Sequence, residues 1–212
     1  MDTAQIEQNK ERFKALCHQY ITRDGLDALL EYLETKDFYT APSSTKFHLN
    51  EDGGLCQHCM NVFETALKIY HNIDKPAIED GTANFPNEIS EESIAIATLF
   101  HDLCKMDFYK KTERWKKDEQ GRWQSYTGYA IDDTFPLGHG EKSLLLLHTH
   151  LKLTAQEMLA VRWHMGMFDI GENGSAQSFA FREALNRYPL VAIVHAADFL
   201  ASNLLEKTTT VD

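Results

Sequence analysis

The chain has 212 residues, 43% hydrophobic and 25% charged, with a formal net charge of −11. This composition excludes collagen-like, disordered and disulfide-scaffold chains, and the acidic balance argues against an extended nucleic-acid surface, which needs a basic footprint. No apolar run approaches the roughly 20 residues that span a bilayer, and residues 1–8 lack the basic and apolar regions of a signal peptide. The expectation is therefore one cytoplasmic domain over residues 1–212, with no membrane partner.

Residues 4–20 and 24–36 read as amphipathic helices. In the second, Leu26, Leu29, Leu30 and Leu33 recur at helical spacing and Asp24 is a candidate cap. Residues 37–54 carry Pro42, Ser43, Ser44, Asn50, Gly53 and Gly54 and read as loop. A helix is predicted over about 55–72, then a second loop over 74–89. The next helix, 90–105, starts at a Ser90 cap with Glu91 and Glu92 in its first turn, where carboxylates suit the helix dipole. Its apolar stretch ends in His101-Asp102, with Lys105 one turn further on.

Residues 106–137 change character. Trp115-Lys-Lys-Asp-Glu-Gln-Gly-Arg-Trp123 places a turn at 118–121 between runs of alternating aromatic and polar residues, a hairpin pattern. Helices return at about 140–150, 154–165, 176–187 and 189–206. Thr154-Ala-Gln-Glu157 spells a capping box, and Pro189 suits a first helical position. The fold class is all-α, a helical bundle with a small inserted β-hairpin at about 106–137.

Of the four cysteines, Cys56 and Cys59 have CxxC spacing, but no second CxxC completes a tetrahedral zinc site. Packed, reduced thiols are expected. The ten histidines are more informative. His58 follows a Gly-Gly loop, His101 precedes Asp102, His139 sits in Gly138-His-Gly140, and His164 lies near a helix end. Asp198 lies within the apolar helix Val191–Ala201, where an ionised carboxylate is expensive unless paired or metal-bound. Singly, each also fits a hydrogen-bonded core residue. His48 and His195 are open to an orienting role. Imidazole and carboxylate together suit divalent transition ions.

Taken in order, His58, His101-Asp102, His139, His164 and Asp198 resemble the HD-domain metal-dependent phosphohydrolase superfamily over about residues 47–205, after N-terminal helices at about 4–36. Gly53-Gly-Leu-Cys-Gln-His58 is similar to its first motif, His101-Asp-Leu-Cys-Lys105 to its His-Asp motif, and Ala197-Asp198 to its last. The additional His139 and His164 resemble the two-metal subgroup. Gly128-Tyr-Ala130 departs from the Gly-Tyr-Pro signature of the relatives that cleave cyclic dinucleotides.

The resemblance implies two divalent ions, with Mn, Fe, Co, Mg and Ni as candidates. One would be held by His58, His101, Asp102 and Asp198, the other by Asp102, His139 and His164. It further implies catalytic roles for Asp102, as a shared carboxylate, and for Lys105, as a charge facing the phosphoryl group. The expected substrate is a small phosphorylated molecule, a nucleotide or related phosphoester, with no extended nucleic acid. Candidate substrate contacts are Lys142 and Arg162 beside ligand histidines, and Trp115, Lys116 and Tyr129 on the basic, aromatic hairpin. Two other readings share the ligands: an HD-fold di-iron oxygenase and a non-catalytic nucleotide sensor.

Overall fold

The computed structural model describes residues 1–170 and 174–207. The chain is mostly helical with one small antiparallel sheet. Helix α1 (Thr3–Tyr20) is capped by Asp2, whose side chain accepts from the Gln5 N–H. Helix α2 (Leu26–Glu34) buries Leu26, Leu29, Leu30 and Leu33 as their spacing predicts. Its N-cap is Gly25 in the left-handed conformation, not Asp24. Helix α3 (Gly54–Ile69) continues through a wide turn, Tyr70–Asp74, into the short α4 (Lys75–Glu79). The predicted 74–89 loop is therefore partly helical, because Pro76 falls in a first turn, where its missing N–H is no loss.

Helix α5 (Glu91–Leu99) is apolar on every side, and each residue from Ser93 to Leu99 is buried. A helix without a polar face belongs in the centre of the molecule, and α5 packs against α1 and α3, as well as α7 (Ala155–Arg162) and α9 (Pro189–Leu200). Its cap is Ser90, which accepts from Ser93 N at 3.1 Å. The helix is shorter than predicted. It ends at Leu99, Phe100 leaves helical geometry at φ −120°, ψ 12°, and a 3₁₀ turn follows at Leu103–Lys105. His101 and Asp102 thus stand in the break after the helix.

Strands β1 (Tyr109–Lys117) and β2 (Trp123–Ile131) form the predicted hairpin, with Tyr109 opposite Ile131 and Lys117 opposite Trp123. The Asp118 carboxylate accepts from the N–H groups of Gln120 and Arg122, both at 2.9 Å, which fixes the turn. Helices α6 (His139–His148) and α8 (Ser175–Leu185) complete the bundle, and a wide turn, Ala201–Leu205, extends α9. No single described helix is long and apolar enough to cross a membrane.

One buried ionic knot ties the bundle together on the side where α5 and α7 begin. Glu157, in the capping box of α7, accepts from Arg23 Nη1 at 2.6 Å, Ser93 Oγ at 2.7 Å and Thr154 N at 2.8 Å. Burial pushes the Glu157 carboxyl up, but Arg23, Thr154 and Ser93 outweigh it and hold it below its ordinary 4.5. Arg23→Ala leaves that buried carboxylate without its cation and should cost about 3 kcal/mol in urea unfolding. A folded-state pKa below the unfolded value means this stability is complete above pH 4.5 and fades as pH falls through the lower folded value. The stability gap between wild type and Arg23→Ala should accordingly narrow on acidification from pH 6 to pH 3.

Candidate metal centre

Four segments deliver the imidazoles, and in each a local backbone feature does the aiming. His58 is on the second turn of α3. That helix can start where it does because Gly54 approaches the Leu49 carbonyl so closely that a Cβ would collide with it. His101 follows the break at the end of α5. The helix end leaves the Thr98 carbonyl without an intrahelical partner, and His101 Nδ1 donates to it at 2.7 Å. The end of α7 repeats the device: Trp163 leaves the helix at φ −106°, ψ 16°, and His164 Nδ1 donates to the Val161 carbonyl at 2.7 Å. His139 opens α6. Gly140 lets that helix end abut the Arg162 carbonyl, where a Cβ would collide, and so brings His139 beside His164. Their rings lie 5.3 Å apart.

Asp102 stands among these rings with 1% exposure. Its Oδ1 faces His139 Nε2 at 3.0 Å and His164 Nε2 at 3.4 Å. Its Oδ2 faces His58 Nε2 and His101 Nε2, each at 3.4 Å, and Lys105 Nζ at 2.6 Å. Asp198 comes from the last turn of α9, with Oδ1 at 3.3 Å from His58 Nε2. The six residues named from the sequence therefore lie in one buried cluster, with Lys105 against it.

The tautomers carry the chemical meaning. A carbonyl oxygen only accepts, so Nδ1 of His101 and of His164 must carry the ring proton. His58 Nδ1 lies 3.0 Å from the Glu206 carboxylate and donates in the same way. In the neutral rings, Nε2 of all three is then a bare lone pair. These lone pairs face carboxylate oxygens and one another, with His58 and His101 Nε2 3.2 Å apart. His164 Nε2 is buried with no hydrogen-bond partner. Acceptors crowded against acceptors repel unless a cation stands between them. The donor set, neutral imidazole and carboxylate with each Nδ1–H tied down, is the one that divalent transition ions take. The buried His58, His101, Asp102, His139, His164 cluster is compatible with a metal site.

The carboxylates and His58 carry the charge of the cluster. Burial works against charge on Asp102, yet Lys105 and His101 hold its carboxyl well below the usual range. Burial likewise opposes the lowered Asp198, where His58 and His101 prevail. At His58, burial lowers the imidazole, but Glu206 and Asp198 overcome it and hold the ring up at about 10, so without a metal Nε2 keeps a proton that a metal ion would displace. Lys105 pairs with Asp102, while Asp198 and Glu206 both face the His58 ring.

The cluster opens into a cleft of about 670 Å³. Lys105, His139, His164 and Asp198 line it, with Tyr109 and Ile131 from the base of the hairpin. The named substrate residues lie elsewhere. Lys142 is buried and paired with Asp133 at 2.8 Å. Arg162 stacks on Trp163 and pairs with Glu141 and Asp169. Trp115 is 59% exposed on the hairpin, and Lys116 sits over Tyr126. Tyr129 donates its hydroxyl to Asp52 and lines a smaller cleft beside Lys111. None of the five lines the cleft at the cluster.

Sequence reasoning missed Glu206, whose side chain is buried and binds both His58 Nδ1 and Asn61 Nδ2. No local pattern marks it, since its role comes from the end of α9 folding back over α3. His48 stacks on His58 at 4.9 Å between ring centroids. Cys104 Sγ lies 3.2 Å from His139 Nδ1. The CxxC thiols are free and buried in α3, and burial pushes Cys56 up to about 12, which makes it a poor nucleophile. No family model, curated protein or solved structure matches the chain.

Glu206→Gln should keep the fold and weaken divalent-metal binding by about 10–100-fold, because it removes the anion that orients His58 and strengthens it as a donor. Equilibrium dialysis against Mn²⁺ or Zn²⁺ measures this. Unchanged affinity would deny Glu206 its orienting role.

Proposed function

We propose that this chain is a dinuclear metal-dependent phosphohydrolase of the HD type, acting on a small phosphorylated molecule such as a nucleotide or related phosphoester. The observation that carries the reading is the single carboxylate of Asp102 with its two oxygens turned to different imidazole pairs, His139 and His164 on one side and His58 and His101 on the other. In this reading one ion takes His58, His101, Asp102 and Asp198, and the second takes Asp102, His139 and His164. Two divalent ions in such a site neutralise a phosphoryl group and supply a water of lowered pKa as nucleophile.

The chain's own residues set the conditions for that chemistry. The Thr98 and Val161 carbonyls and the Glu206 carboxylate hold three rings in the tautomer that presents Nε2. A donor whose ring cannot flip keeps its direction when substrate arrives. Lys105 keeps the Asp102 carboxylate ionised and points a fixed positive charge into the cleft. Burial and Asp102 both act on its ammonium, and the attraction of Asp102 wins, so it stays protonated well above neutral pH. That charge is placed to meet negative charge developing on phosphoryl oxygens. The cleft is closed behind the cluster by the apolar α5 and α9, which exclude water from that side.

Elemental analysis of anaerobically purified protein, followed by a phosphatase and phosphodiesterase panel with Mn, Co, Mg, Fe and Ni, tests the reading. Two metals per chain and oxygen-independent hydrolysis are expected. Saturation at one metal removes the dinuclear reading, and oxygen-dependent turnover with a mixed-valence iron signal favours the oxygenase of the same ligand set.

Two variants separate the roles of the central residues. Asp102→Ala should lose metal and activity together, with little recovery on adding metal. Lys105→Met should keep its metal while kcat falls on the order of 10²–10³, more than KM rises, because the lost contact acts on charge that develops in the transition state. Full turnover by Lys105→Met would reduce Lys105 to a structural partner of Asp102.

A further inference from the structure

Two imidazoles line the cleft outside the six-residue cluster: His48, stacked on His58, and His195. His195 lies on α9, three residues before Asp198 and four before Phe199. Its Nδ1 donates to the backbone carbonyl of His164 at 2.7 Å. That bond fixes the ring and leaves Nε2 as the acceptor of the neutral imidazole. Among the described residues, Nε2 has no hydrogen-bond partner. The local chain is shaped around this ring. Gly166 has φ +55°, and a Cβ there would lie 2.5 Å from the ring's Cε1 and 2.7 Å from Nε2, so only glycine admits it. The Phe181 ring packs edge-on at 5.8 Å from the other side. A half-buried imidazole held from three directions, with one acceptor unspent beside a cleft, has more placement than packing requires.

Position gives it a task. Residues i and i+3 share a helix face, roughly 4.5 Å apart along the axis. His195 therefore stands about one helical turn from the cluster residue Asp198, the reach from a phosphoryl group to the carbon skeleton that carries it. Among the described residues Lys105 is the one ammonium lining the cleft, and Asp102 already holds it. Among the described residues, no second lysine or arginine lines the cleft to hold another phosphate. Beyond His195 the walls turn apolar, with Phe199 and Phe168 50% and 77% exposed.

We propose that His195 is a substrate-recognition residue whose Nε2 accepts a hydrogen bond from a hydroxyl on the skeleton of a phosphoester. Phe168 and Phe199 would receive the apolar or planar remainder of that molecule. This rests on the phosphohydrolase reading for the phosphoryl end only. A single exposed hydrogen bond of this kind is worth about tenfold in affinity.

The test compares adenosine 5′-monophosphate with its 2′,3′-dideoxy counterpart on the Mg²⁺-loaded full chain. It reads the dissociation constant, or KM where the probe is turned over, together with metal content. Wild type should prefer the hydroxyl-bearing probe by about tenfold. In His195→Asn the amide nitrogen replaces Nδ1 and keeps the bond to the His164 carbonyl, but nothing stands at Nε2, so the preference should vanish with metal content unchanged. His195→Gln places its amide near Nε2 and should retain part of the preference. No preference in wild type, or a preference surviving in His195→Asn, overturns the assignment. So does loss of metal in His195→Gln with no change in His195→Asn, because His195 would then serve only to position His164. Hydroxyl-dependent binding with no turnover under any metal supports the assignment and removes the hydrolase reading. Turnover without hydroxyl preference does the reverse, and failure of both probes to bind or react overturns both.

Discussion

The structure depends on what happens to backbone carbonyls where a helix stops. Helices α5 and α7 each end in a residue that abandons helical geometry, Phe100 and Trp163, and each break leaves a carbonyl free three residues before a histidine. The Thr98 and Val161 carbonyls take the Nδ1 protons of His101 and His164 at the same distance, 2.7 Å. An imidazole with Nδ1–H committed has one remaining choice, a lone pair at Nε2. Two helix ends converging on Asp102 thus make a cluster of acceptors that folding alone leaves unsatisfied. Whatever the chain does chemically begins from that unmet demand for positive charge.

The rest of the fold can be understood as support for this arrangement. The all-apolar α5 supplies a centre that does not shift, and the Arg23–Glu157–Ser93 knot holds α7 to it at the opposite end from the histidines. Glycine occupies points where backbone must approach backbone closely, Gly54 at the start of α3 and Gly140 at the start of α6. These contacts set where His58 and His139 begin their reach. Glu206 then closes the cluster from the end of the chain's last helical segment, giving His58 the anion that the two helix-end carbonyls give the other rings. Three oxygens of different origin perform one task.

The hairpin illustrates how composition can mislead about location. Its lysines and tryptophans are dense in the sequence, yet Trp115 and Trp123 lie out along the strands, and only Tyr109 and Ile131 at its base reach the cleft. Lys142 and Arg162 are sequence neighbours of ligand histidines, but each is spent on carboxylates, Asp133 for one and Glu141 with Asp169 for the other. In an acidic chain a cation rarely stays unpaired, and adjacency along a helix turns a side chain by about 100° per residue. A neighbour in sequence therefore points elsewhere.

The six residues of the cluster were picked out by their order along the chain, through a family resemblance; the sequence by itself determined the helical class, the Ser90 and Thr154 caps, and the hairpin with its turn. These are legible because they rest on local rules: side-chain oxygens near free N–H groups, periodic apolar residues, and the cost of an Asp inside an apolar helix. Tertiary structure decided the rest. That α5 stops at Leu99 instead of running through Lys105 depends on what Asp102 and His101 meet outside the helix, which no window of sequence contains. Glu206 and the role open to His195 depend on α9 lying across α3 and against the end of α7. Those are contacts between residues more than 30 positions apart along the chain, and long-range packing, unlike a cap or a turn, leaves no mark on the residues beside it.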